Sequence, residues 1–289
     1  MQDLLVPIDD GLINTWHRPA DAGSPTVVLI HGLTGTSRWW IPVISHLPAE
    51  LGLLAIDARG RGQSWQAPPP YGLATIADDV ARSLDHLGVE TATVAGYSMG
   101  AWIAALLAVN HPDRIDRVVL VDGSLPIETD PGLTAEEIVT RAVGPAVARL
   151  SMGFQSMTAY FGFWQDHPAF IDAWHPQLED VFSYDVHDVD GVIEARANTD
   201  AVIAGGSDFA LDAAANNAHR SIAVPTTLLI VDHGLLGQPG GFMSEAAAAT
   251  AGKDNPNIGV QMLDGLNHYT LILGDGAPRV AATISVGST

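Results

Sequence analysis

Ser98 lies in Gly96-Tyr97-Ser98-Met99-Gly100, directly after the apolar run 91–95 and before the helix-forming run that starts at Ala101. A Gly-x-Ser-x-Gly segment between a strand and a helix lets the chain turn sharply and leaves the hydroxyl exposed at the strand's carboxyl end. The helix behind it offers free N–H groups and a positive dipole end to a developing negative charge. A second glycine-bearing loop, His31-Gly32-Leu33-Thr34-Gly35, follows the apolar run 26–30. Acyl transfer needs donors for an oxyanion, and backbone N–H groups commonly supply them. The N–H groups of Leu33 and Met99 are the candidates. His31 reads as a residue that orients its loop, not as the base.

The elements that must position these residues follow from the apolar pattern. Runs at 26–30, 53–56, 91–95, 117–121, 226–231 and 258–263 are short, continuous and β-branched, as expected of strands covered on both faces. Helical stretches at 39–51, 76–87, 99–110 and 241–250 separate them. This alternation predicts an α/β fold with a doubly wound, mostly parallel sheet. The first 25 residues, with Asp10-Gly11 between two short runs, predict an added antiparallel hairpin. Residues 1–129 and 221–289 form the expected core, and 130–220 the expected insertion. The insertion shows no convincing strand pattern but helical stretches at 134–150, 155–164 and 192–204, the last after a turn at Asp190-Gly191. Roughly 90 residues are too many for a structureless loop, so a helical subdomain is expected. Its many aromatic residues serve either as its own core or as the roof of a pocket. Trp39, Trp40, Phe161 and Trp164 are the candidate pocket walls.

The loop at 31–35, the turn Asp57-Ala58-Arg59-Gly60-Arg61-Gly62-Gln63-Ser64 and the elbow at 96–100, in that order, resemble the α/β-hydrolase superfamily with a helical cap. The resemblance covers essentially the whole chain outside 130–220. It implies a nucleophilic serine, then an acid at a later strand end, then a histidine near the C-terminus. Asp232 after the run 226–231 and His268 after the last strand fall in those places. His268 is also reached by elimination. Among the 11 histidines, His46, His86 and His111 lie in or beside core helices, and His167, His175, His187 and His219 fall in the insertion region. His268 alone sits in a loop after a core strand late in the chain. For the acid, Asp122 at the end of 117–121 is the alternative, because family members use either strand; the later position, Asp232, is the expectation. Such a carboxylate holds the imidazole tautomer and stabilises the imidazolium.

The resemblance with a serine at the elbow implies hydrolysis of a carboxylic ester or lactone of a small apolar substrate through an acyl-enzyme. An aspartate there would suit epoxides or haloalkanes. The same constellation also serves amide, thioester, peracid and carbon–carbon cleavage. Small-ligand receptors and cofactor-free oxygenases form a second class, and the intact Ser–acid–His set argues against them.

Composition narrows the rest. Thirteen Lys+Arg against 33 Asp+Glu give a net charge of −20, with Lys253 the only lysine. That charge repels phosphate backbones and anionic lipid, so neither nucleic acid nor a membrane surface is an expected partner, and it disfavours anionic substrates. The absence of cysteine excludes disulfides, Cys-ligated metals and a thiol nucleophile. The segment 184–191 (Tyr-Asp-Val-His-Asp-Val-Asp-Gly) crowds potential ligands but matches no metal-binding spacing and reads as an acidic turn. The Gly60/Gly62 turn lacks the Lys-Ser/Thr of a phosphate loop. No cofactor and no metal are expected. The N-terminus lacks a secretory pattern and no apolar run reaches about 18 residues, so a cytoplasmic location is the expectation.

Overall fold

A computed structural model describes residues 1–127, 132–134, 137 and 147–286. Eight strands form one sheet in the order β1-β2-β4-β3-β5-β6-β10-β11. The strands are β1 (Gln2–Ile8), β2 (Gly11–Arg18), β3 (Thr26–Ile30), β4 (Gly52–Ile56), β5 (Ala92–Tyr97), β6 (Ile115–Val121), β10 (Thr226–His233) and β11 (Ile258–Asn267). The β1–β2 hairpin and the β2–β4 pair are antiparallel, and β4-β3-β5-β6-β10-β11 are parallel throughout. The continuous apolar runs follow from burial on both faces. In β3, Val28 and Ile30 pack into one core layer while Val27 and Leu29 pack into the other. Chain α1 (Ile41–Ile44) and α2 (Leu73–His86) precede α3 (Met99–Asn110), whose residues from Met99 to Ala108 are all buried.

This order explains why three loops meet. Strand β5 lies between β3 and β6. The loops leaving the carboxyl ends of all three strands therefore emerge side by side. They carry His31–Leu33, Ser98 and Asp122.

Between β6 and β10 the chain makes an insertion that is not purely helical. It holds α4 (Met157–Gln165), α5 (Gln177–Tyr184), α6 (Thr199–Leu211) and α7 (Ala213–Asn217), but also an antiparallel sheet in the order β7-β9-β8. Here β7 is Gly153–Phe154, β8 Val186–Val189 and β9 Val192–Ala195. The expectation of a helix over 192–204 is corrected: β8 and β9 form a hairpin, and the helix starts at Thr199. The reason lies in Asp190 and Gly191, both with positive φ (53° and 85°), which give the turn type that matches strand twist. The acidic segment 184–191 is thus the end of α5, a strand and its turn. The expected long helix at 39–51 is also shorter, a single 3-10 turn at Ser37–Trp40 followed by α1, and the helix expected at 241–250 is α8 (Glu245–Asp254). Most of the stretch 134–150 lies outside the described residues. The chain closes with α9 (Thr270–Leu273) and α10 (Ala277–Ser285).

Buried polar bonds fasten the insertion to the core. The Asp57 carboxylate, fully buried after β4, accepts from Ser37 N (2.8 Å), Gln63 N (2.9 Å), Asn14 Nδ2 (3.1 Å) and the Tyr184 hydroxyl (2.7 Å). It joins the hairpin, the turn after β3, the Gly62 turn and α5. Asp185, one residue on, accepts from Thr36 Oγ1 and Trp39 Nε1, both at 2.8 Å. Burial pushes its carboxyl up to about 6, against the pull of the Arg149 charge.

Removing the Asp57 carboxylate strands several buried donors. Asp57→Ala should lower unfolding free energy by about 3 kcal/mol or more, read from denaturant midpoints. Asp185 makes stability depend on pH. Its acid is stronger in the unfolded chain than at about 6 in the folded one, so between roughly pH 4 and 6 the folded state holds the extra proton. That contribution to stability is present at low pH and lost as pH rises through 6. Relative to wild type, Asp185→Asn should gain melting temperature from pH 4 to pH 7; a constant difference would contradict this.

Candidate active site

Ser98 occupies a backbone conformation that few residues adopt, φ 53° and ψ −122°, between β5 and α3. Such geometry costs about 1–3 kcal/mol and persists only where the surroundings enforce it. The enforcement is close packing. A Cβ on Gly96 would lie 2.0 Å from Gly100 O, and one on Gly100 would lie 2.2 Å from Ile30 O. Ser98 N donates to Val121 O at 2.9 Å, tying the elbow to β6.

The loop after β3 lies directly against the serine. A Cβ on Gly32 would stand 3.2 Å from Ser98 Cβ. His31 is fully buried, with Nδ1 on Gly32 O (2.7 Å) and Nε2 accepting from Ala58 N (3.0 Å). Burial pulls its pKa down to about 4, so the ring is neutral and serves as a brace for the loop. Arg61, also fully buried, donates to Leu33 O at 3.0 Å and to Ala201 O of α6 at 2.9 Å. The Leu33 and Met99 N–H groups engage no protein acceptor among the described residues. Both remain free to hold an oxyanion.

His268 and Asp122 meet on the other side. His268 Nδ1 lies 2.6 Å from Asp122 Oδ2, with side chains 3% and 0% exposed. Asp122 itself adopts φ 49° and donates its N–H to Leu229 O at 2.8 Å. The Tyr97 hydroxyl donates to His268 O (3.0 Å), and the rings of Tyr97 and Phe242 flank the imidazole at 4.9 and 4.7 Å. Burial raises the Tyr97 phenol well above its usual range, which keeps it a donor.

Asp232, the acid expected from the sequence, does not touch His268. Its Oδ1 accepts from Gly265 N (2.9 Å) and Leu266 N (3.3 Å) and contacts His233 Nδ1 (2.9 Å). Its side chain is 34% exposed, against full burial for Asp122. The cause is local. The β10–β11 register shifts between Val231 and His233, and the Asp232 carboxylate caps the loose N–H groups of the β11 irregularity that follows. His268, on the far side of β10, reaches instead to the end of β6.

Ser98 and His268 line one cavity of about 20 Å³ with Leu33, Thr34, Trp39, Tyr97, Leu235 and Tyr269. That is room for about one water. Of the expected pocket walls only Trp39 lines this cavity. Trp164 stands one layer behind, its ring 6.2 Å from Trp39 and 6.1 Å from Tyr269. Trp40 is buried in the core layer beneath, and the partly buried Phe161 packs on Tyr160; neither lines the cavity. Sequence reasoning missed Tyr97, Leu235, Phe242 and Tyr269. Two of these flank Ser98 and His268 in the chain, which is the only signal they carried. Among the described residues no group of three His, Asp or Glu side chains is placed to hold a metal, and no helix is long and apolar enough to cross a membrane.

Comparison with known proteins agrees with this geometry at the level of fold. The family model of the alpha/beta hydrolase fold matches residues 25–177. The putative carbamate hydrolase RutD of Caulobacter sp. (strain K31) is 36% identical over 115 residues, covering 39% of this chain and 43% of that protein. The acetyltransferase component of the acetoin cleaving system of Cupriavidus necator is 40% identical over 99 residues, covering 34% of this chain and 26% of that one. The chain therefore matches less than half the length of these curated relatives. The crystal structure of E-2-(acetamidomethylene)succinate hydrolase superposes with a TM-score of 0.79 at 21% identity, covering 99% of this chain and 98% of the other. A thioesterase domain from the curacin biosynthetic pathway gives 0.76 at 21% identity, with 99% of both chains covered. From the match of the family model over residues 25–177, the chain belongs to the alpha/beta hydrolase fold family.

Proposed function

We propose that this hydrolase cleaves a carboxylic ester or lactone of a small substrate through an acyl-enzyme on Ser98. The observation that carries the reading is the buried 2.6 Å contact of Asp122 with His268, a histidine that lines the same cavity as Ser98. In this reading Ser98 Oγ attacks the carbonyl carbon as His268 Nε2 takes its proton. Asp122 stabilises the imidazolium and fixes the tautomer. The Leu33 and Met99 N–H groups hold the oxyanion. Collapse expels the alcohol, which receives the proton from His268. Water, deprotonated by the same nitrogen, then releases the acid and restores Ser98. The apolar walls from Trp39, Leu235 and Tyr269 suit a modest acyl group, and Trp164 of the insertion backs Trp39 and Tyr269.

A second reading, hydrolysis of a carbamate or amide on the same residues, is favoured by the relatives named carbamate hydrolase. Matched aryl esters, carbamates and anilides of one acyl group separate the two. The ester reading expects the ester to be turned over well beyond the difference set by its leaving group; faster cleavage of the carbamate would replace it.

The acid assignment has its own test. With a 4-nitrophenyl ester of a short acid, Ser98→Ala should lower kcat at least about 10³-fold and Asp122→Asn by about 10³–10⁴-fold. Asp232→Asn should stay within about threefold of wild type, since a partly exposed loop cap carries no proton. A large fall at Asp232 with Asp122→Asn active would reverse the assignment.

A further inference from the structure

Arg149, in the 3-10 turn Arg149–Ser151 that leads into β7, is only 1% exposed. Its Nη1 donates to the Tyr160 hydroxyl at 3.0 Å and its Nη2 to Thr34 O at 3.1 Å, both neutral acceptors. Among the described residues its Nε–H has no acceptor. The nearby acid, Asp185, spends its two oxygens on Thr36 and Trp39. A guanidinium stripped of water and, among the described residues, without a bonded carboxylate is costly. Its position over the rings of Trp164 (5.3 Å) and Tyr160 (5.9 Å) offsets part of that cost.

Two more donors gather there. Among the described residues the buried Trp164 indole Nε1–H has at most a weak contact with the Tyr160 hydroxyl, short of hydrogen-bond geometry. The Tyr160 phenol is buried, and that burial holds it protonated. The cluster therefore has donors in excess and acceptors in deficit, around one fixed positive charge. It also adjoins the Ser98 cavity. Thr34, whose carbonyl Arg149 holds, lines that cavity, as do Trp39 and Tyr269, whose rings lie against Trp164.

We propose that Arg149, with Trp164 and Tyr160, binds a carboxylate on the substrate, so that the acyl compounds cleaved at Ser98 are small acids bearing a second, anionic end. This deepens the ester-hydrolase reading and rests on it. A carboxylate oxygen supplies the acceptor that the Arg149 Nε–H lacks and a stronger one for the indole, and its charge neutralises the guanidinium in a water-poor site, where charge-assisted bonds are strong. The excess of acidic residues on the whole chain does not oppose this, because exposed charges are screened beyond about 10 Å while a buried one acts locally. The orientation follows as well: the carboxylate points to the cap and the scissile carbonyl to the elbow.

The test uses the full chain and two kinds of 4-nitrophenyl ester: the neutral butyrate, and the half-esters of succinate, glutarate and adipate. Wild type should show a kcat/KM at least about tenfold higher for the best half-ester than for the butyrate. Arg149→Met should lower kcat/KM for the best half-ester at least about tenfold more than for the butyrate, mainly through KM; Arg149→Lys should restore part of that difference. Equal losses on both kinds of ester, or a wild type that prefers the butyrate to every half-ester, would overturn the proposal. A measurement independent of any variant is competition in wild type, where free glutarate should inhibit butyrate hydrolysis far better than butyramide does; equal inhibition overturns the proposal. If Ser98→Ala kept full turnover the ester-hydrolase reading would fail instead, and calorimetry of glutarate binding to that variant would still report on Arg149.

Discussion

The tight reversal at Ser98 is the constraint on which the rest of this structure depends. A side chain can be held at φ 53° only if strand β5 and helix α3 are locked at close range. Gly96 and Gly100 make that range possible, because a methyl group at either would strike backbone carbonyl oxygen. The parallel sheet supplies the lock. With β5 flanked by β3 and β6, Ser98 lies between a loop whose Leu33 N–H has no acceptor among the described residues and a strand end that carries a buried carboxylate. Strain recurs at Asp122 (φ 49°) and Ser124 (φ 72°), on the β6 side of the same cavity, and sites of this kind are where proteins tolerate it.

A second layer of buried polar contacts transmits this order outward. Asp57 gathers donors from four separate parts of the chain, and Asp185 ties the insertion to Thr36 and Trp39, next to the loop against Ser98. Arg61 spans from Leu33 O to Ala201 O, so the insertion and the loop that would hold an oxyanion share one side chain. The insertion is thus bonded to the groups proposed to do chemistry, not merely packed above them. A cavity of about 20 Å³ means that these contacts must adjust when a substrate enters.

Much of this was legible in the sequence, and the exceptions share a cause. The six core strands follow from continuous β-branched runs because both faces of the sheet are covered, and Ser98 was visible because only glycine tolerates the contacts on either side of it. The Leu33 and His31 loop was legible for the same reason. Asp232 was not, because two aspartates end neighbouring strands and the sequence holds no record of which one the histidine reaches. The deciding feature is the β10–β11 register shift, which turns Asp232 toward the Gly265 and Leu266 N–H groups. The β8–β9 hairpin escaped although Asp190-Gly191 marks its turn, since strands of four residues, each interrupted by an acidic side chain, are too short to show the apolar run of a core strand. Arg149 gave no signal at all; its meaning depends on which acceptors the fold brings near it.

The central claim is that Ser98 becomes covalently acylated, and a mechanism-based trap reads this most directly. A 4-nitrophenyl alkylphosphonate offers the serine a phosphorus centre from which the aryloxide leaves but which water does not readily release. The account predicts release of one nitrophenolate per chain, loss of activity in step with it, and the added mass on the peptide that carries Ser98. Label on a different residue, or full ester turnover by a chain whose Ser98 is already labelled, would contradict it.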